Sequence, residues 1–144
     1  MTVDLERFVA AQDNNGTYDD AVRELRAGRK TSHWMWFVFP QLAGLGKSAT
    51  AQHFALAGIA EAQAYLAHPV LGPRLVDCAG ILAGLGERSA VRILGSVDAL
   101  KLHSSMTLFA VAAPHVTVFA KVLDHYFAGH PDPGTTALLT SERA

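Results

Sequence analysis

The stretch from Ser96 to about Ala112 constrains the fold more than any other, because apolar residues occupy nearly every side of it. At about 100° per residue in a helix, Asp98, Lys101, Leu102, Ser105 and Phe109 share one face. Val97, Leu100, Met106 and Leu108 take the other sides. A helix that is apolar all round is expected in the middle of its domain. Yet this one also carries Asp98, Lys101, His103, Ser104, Ser105 and Thr107, and buried polar groups need partners.

The remaining chain supplies what would surround such a helix. Its 144 residues suit a single domain spanning 1–144, with an ordered core over about residues 4–139. Half of them are hydrophobic and 17% are charged, which is ample for a core. A net charge of −1 leaves no Lys and Arg excess to neutralise a phosphate backbone, so nucleic acid is not an expected partner. The same balance argues against a polybasic membrane tether. The lone Cys78 has no internal disulfide partner, which suits a reducing cytoplasm. Asp4, Glu6 and Arg7 interrupt the N-terminus before any signal-like apolar run. The most membrane-like stretch, Trp34 to Leu45, falls well short of the ~20 residues of a spanning helix and contains Pro40 and Gln41. A soluble, cytoplasmic protein is expected; the oligomeric state is left open.

Helical spacing joins Leu5, Phe8, Val9 and Gln12, with Asn14-Asn15-Gly16 as a stop. Thr17 can cap a second helix that Gly28 ends. From His33 to Phe39 both alternations are apolar and Pro40 closes the run, so this segment reads as extended or irregular, and buried. Helical spacing returns over Ala60 to Leu66 and Leu71 to Leu85. Ser89 can cap a short helix ending at Gly95, and Ser96 the long one. A last long helix spans Val116 to Phe127, and the tail from Gly134 has room for one further turn or two. The expected fold class is all-α: an irregular single-domain bundle of about six to eight helices with one buried extended aromatic segment.

Two stretches can carry chemistry. On the Ser96 helix, Asp98, Lys101 and His103 are the candidate catalytic residues, with Ser104 and Ser105 as ligand-binding hydroxyls. A purely structural role is equally open. Asp98 suits the first turn electrostatically, Lys101 is three residues on, and the hydroxyls can bond back to the preceding turn. In the aromatic stretch, Trp34 and Trp36 would point to one side of an extended strand and could sandwich a planar ring, or simply be core. Arg26, Arg29 and Lys30 lead into it, and cations beside indoles suit an anionic, ring-bearing ligand. Arg29, His33, Trp34, Trp36 and Gln41 are therefore the candidate ligand-binding residues on this side.

Other chemistry finds less support. Gly46-Lys47-Ser48 suggests a phosphate loop, but Gln41 stands where the motif requires its first Gly. The seven histidines lack metal-ligand spacing, and neither a metal nor a cofactor is expected. Ser104-Ser105 lacks the flanking glycines of a nucleophile elbow, and Cys78 reads as inert core. What remains is a small-molecule-binding domain or hydrolase-like enzyme acting on a nucleotide-like or phosphorylated ligand. The alternative is a non-enzymatic interaction or regulatory module with a structural polar network.

The run from Leu25 through Arg29 into His33-Trp34-Met35-Trp36-Phe37-Val38-Phe39-Pro40-Gln41-Leu42, with Gly44-Leu45-Gly46 after it, resembles the signature of a bacterial family. That family is the domain of unknown function 1810, often labelled "calpastatin". His68-Pro69-Val70-Leu71-Gly72-Pro73-Arg74-Leu75 and Asp98 to Phe109 resemble its other two motifs, and the likeness runs from Leu5 to about Leu139. It implies a mainly helical single domain and brings no activity; the label belongs to a disordered inhibitor, whereas this composition is globular. Phe54 stands where the family commonly has Tyr. A shorter stretch, His68, Pro69 and Leu71 with Gly95 and Asp98, is similar to part of the NADAR enzymes, which act on N-glycosidic bonds. That similarity implies Asp98 as the carboxylate and Trp34 or Trp36 as a ring-stacking wall.

Overall fold

The computed structural model describes residues 4–143, with side chains to 141. It is all-α. The helices are α1 (Glu6–Asp13), α2 (Thr17–Ala27), α3 (Met35–Val38), α4 (Ala49–His53) and α5 (Ile59–Ala67). They continue as α6 (Leu71–Gly84), α7 (Ala90–Leu94), α8 (Ser96–Ala112), α9 (Val118–Phe127) and α10 (Pro133–Arg143). Eight of these ten among the described residues, α1, α2 and α5–α10, correspond to the helices expected; the short α3 and α4, of four and five residues, were not expected. An isolated parallel bridge pairs Leu42 with Leu56. No helix among the described residues is long and apolar enough to cross a membrane.

Helix α8 is the axis of the molecule. It packs against α3, α5, α7, α9 and α10, and Leu102, Met106, Leu108 and Phe109 on it are fully buried. Burial is not complete round its circumference. Val97 and Leu100, near its start, are 65% and 69% exposed. On the opposite side of the core, α6 packs on α2, α5 and α9. Its start comes so near α5 that a Cβ on Gly72 would lie 2.0 Å from the Leu66 carbonyl oxygen.

The aromatic segment departs from the extended form expected of it. Met35–Val38 is a single helical turn, with Phe39 N–H bonded to the Met35 carbonyl oxygen. The run is buried on both alternations because the turn is wedged into the core: Trp34, Met35, Val38 and Phe39 are all buried. Continuous apolarity marks burial, not strand geometry. Trp34, just before the turn, is buried, whereas Trp36 inside it is only partly so. Phe37 meets Phe54 at 5.2 Å and Phe54 meets Phe8 at 5.7 Å, so Phe54 serves packing.

Caps follow backbone geometry more than hydroxyl position. Ser89 caps α7 as expected, accepting from the Arg92 amide. Thr17 and Ser96 instead lie inside their helices, with Gly16 and Gly95 before them at positive φ. Gly28, at φ 72°, closes α2 as expected. Asp132 accepts from the Thr135 amide and hydroxyl and precedes Pro133, an N-cap followed by proline at N1, which starts a longer α10 than expected.

Candidate functional site

Three charged side chains meet between the loop after α2 and the first turns of α8. Asp98 Oδ2 lies 2.9 Å from Lys30 Nζ and Asp98 Oδ1 3.0 Å from Lys101 Nζ. Each ammonium also faces an indole: Lys30 Nζ is 5.2 Å from the Trp34 ring centroid, and Lys101 Nζ is 3.8 Å from that of Trp36. Lys30, Trp34, Trp36, Asp98 and Lys101, with exposed His33 at the margin, line a cleft of about 60 Å³. That is the volume of roughly two waters. The side chains of Lys30, Asp98 and Lys101 are 9%, 16% and 15% exposed, so the group is neither sealed nor fully solvated. Burial works to raise the Asp98 pKa, but hydrogen bonds and charge from both lysines outweigh it and hold the carboxyl below its ordinary range.

A second carboxylate builds the wall without entering the cleft. Glu24 is buried on α2 in register with Ala21 and Leu25. Its Oε1 accepts from the Thr31 amide at 2.7 Å, the Ser32 amide at 2.9 Å and the Trp34 indole N–H at 3.0 Å. Ser32 Oγ donates to the other oxygen. Burial opposes ionisation, yet these donors carry the pKa down to about 2. The Lys30 amide bonds to the Ile93 carbonyl oxygen at 2.8 Å, which ties the same loop to α7. The positions of Lys30 and Trp34 are thus set by covalent neighbours of an anchored loop.

Of the sequence candidates, Asp98, Lys101, Trp34, Trp36 and His33 come together here. The others do not. His103 lies on another side of α8, where its Nε2 meets the His130 carbonyl oxygen at 2.7 Å and its ring stacks on Phe127 at 4.1 Å. Ser104 reaches the Leu100 carbonyl oxygen and Asp132, and so belongs to the α10 cap. Ser105 is fully buried, and among the described residues its Oγ has no hydrogen-bond partner. Arg29 is exposed and does not line the cleft. Gln41 is occupied through its backbone, accepting from the Leu56 amide at 3.0 Å.

Sequence reasoning passed over Glu24 and used Lys30 only as part of a basic run. The signal for Glu24 was present: a carboxylate in the apolar register Ala21, Leu25 ahead of a Gly28 stop. Nothing local marks Lys30 as the partner of Asp98, since the pair is formed only by tertiary packing. Larger grooves lie elsewhere, of about 780 Å³ beside Tyr18 and Ile81, about 710 Å³ beside Leu66 and Val116, and about 590 Å³ beside His103 and Phe127. The charges in the first, Asp19, Arg26 and Asp77, are all exposed, and the second is mainly apolar. Charged groups held on aromatic faces converge instead at the smaller cleft.

Residues 2–139 match the family described as "Protein of unknown function (DUF1810)". The crystal structure of the conserved hypothetical protein Rv1873 from Mycobacterium tuberculosis is 51% identical, with a TM-score of 0.91 over 95% of this chain and 96% of that one. No curated protein matches the chain. With nearly all of its length matched and the helical order described above, this chain belongs to the DUF1810 family of proteins of unknown function.

Proposed function

We propose that the cleft between α8 and the Lys30–Trp36 segment binds a small nucleotide-like or phosphorylated molecule. The observation that carries this reading is the convergence of Lys30, Lys101, Asp98 and both tryptophans of the chain on one cleft. Two ammonium groups against one carboxylate leave an excess positive charge suited to an anion. The cleft admits only a small head group, so a ring attached to it lies outside, beside Trp36 and His33. A hydrolase-like form of the reading gives Asp98 charge stabilisation rather than proton donation, because a carboxyl kept ionised by two lysines holds no proton near neutrality. A small molecule rather than nucleic acid fits the net charge of −1, and a cytoplasmic setting fits the buried free thiol of Cys78.

The interaction-module reading draws on a different observation: the hydroxyls of Ser104 and Thr107 are used within the protein, around Asp132. Thermal-shift measurements with AMP, ADP-ribose, a flavin precursor and inorganic phosphate separate the two. Binding predicts that an anionic ligand raises Tm, and that Lys101→Met reduces the rise. No rise with any of them, over an unchanged fold, favours the interaction module.

A further inference from the structure

We propose that Asp98 is a built-in counter-ion, standing where the site receives a phosphate-type oxyanion, so that such an anion competes with it for Lys30 and Lys101. This rests on the binding reading above and adds how that site is controlled. Each lysine gives Asp98 one of its three N–H donors, at 2.9 and 3.0 Å, which is the distance at which a phosphoryl oxygen would accept them. The two ammonium groups are separately held on indole faces, Lys30 by Trp34 and Lys101 by Trp36. Those faces give each ammonium a second attraction besides the carboxylate.

The other nearby carboxylate cannot serve them. Glu24 spends its oxygens on Thr31, Ser32 and Trp34. Asp98 lies in the first turn of α8, a helix of 17 residues, where the helix dipole favours negative charge from the side chain or from a ligand alike. Each ammonium acts as a point charge with donors to spare, and can serve a phosphate oxygen as it serves the carboxylate. The cleft of about 60 Å³ matches a single head group of that size.

The experiment titrates inorganic phosphate into the full chain and reads intrinsic fluorescence, which reports on the cleft because Trp34 and Trp36 are the two tryptophans present. Asp98→Asn is expected to bind phosphate at least about five-fold more tightly than wild type, the scale of one like charge removed at about 4 Å under full water screening. Circular dichroism checks that the variant folds. A second comparison avoids leaving two lysines unopposed: Lys30→Met carrying Asp98→Asn is expected to bind at least about five-fold more tightly than Lys30→Met alone. Equal or weaker binding on loss of Asp98 in either comparison, with wild type still binding, overturns the counter-ion role and leaves the binding reading standing. No phosphate response in wild type or in any variant overturns both.

Discussion

The Glu24 carboxylate accepts the indole N–H of Trp34 at 3.0 Å, so one wall of the cleft is fixed by a residue that does not line it. The same carboxylate gathers the Thr31 and Ser32 amides and holds the loop that carries Lys30 and His33. Its role is to shape the cleft from behind.

Replacing Glu24 with Gln should therefore cost more than a surface change. An amide cannot accept from four donors as a carboxylate does, and its own NH₂ would face them. A loss of about 2–4 kcal/mol is expected in denaturant unfolding, together with a changed Trp34 fluorescence in the folded state. Unchanged stability would show that the donors are satisfied without the charge.

Stability should also fall in acid. The Glu24 pKa drops from 4.5 to about 2 on folding, so its contribution is complete above about 4.5 and is lost as pH falls toward 2. The size of that shift corresponds to about 3 kcal/mol. Asp98 and Asp132 shift in the same direction, each against the effect of burial, Asp98 through its lysines and Asp132 chiefly through bonds from Thr135 and Ser104. Unfolding free energy measured across this window should decline in wild type and decline less in Glu24→Gln.

Asp132→Ala removes the cap of α10. Its carboxylate accepts from the Thr135 amide at 3.1 Å and from the Thr135 and Ser104 hydroxyls at 2.6 and 3.0 Å. About 1–2 kcal/mol should be lost. The effect should be local, with faster hydrogen exchange at the Thr135 and Thr136 amides and little change along α8.

Gly72→Ala brings a methyl group to 2.0 Å from the Leu66 carbonyl oxygen, so α5 and α6 must separate. The atom it meets is backbone, so no flexible side chain can swing away. A loss of about 3 kcal/mol is expected in thermal or chemical unfolding. A neutral effect would mean that the close approach of the two helices is not required.

Much of the fold was legible because its signals are local. Gly28 stopped α2, Ser89 capped α7, and the apolar span of α8 marked the central helix. The aromatic segment misled because burial on every side erases the periodicity that separates strand from helix. The length of α10 is also readable in Asp132 as cap and Pro133 as first residue, although a reading that starts at Gly134 shortens it. At the site, Asp98 and Lys101 were evident from their spacing on one helix face. Lys30 and Glu24 were not, since they reach Asp98 and Trp34 from α2 and the loop after it. His103 shares α8 with Asp98 but faces Phe127, a direction that depends on which helices surround α8.

The most direct test of a ligand site at this cleft follows the two indole N–H signals by NMR while a nucleoside monophosphate is added. Saturable shifts of both Trp34 and Trp36, lost when Lys30 and Lys101 are together replaced by Met, are expected of a ligand site here. Indole signals that stay still, or that shift equally in the double variant, would contradict it.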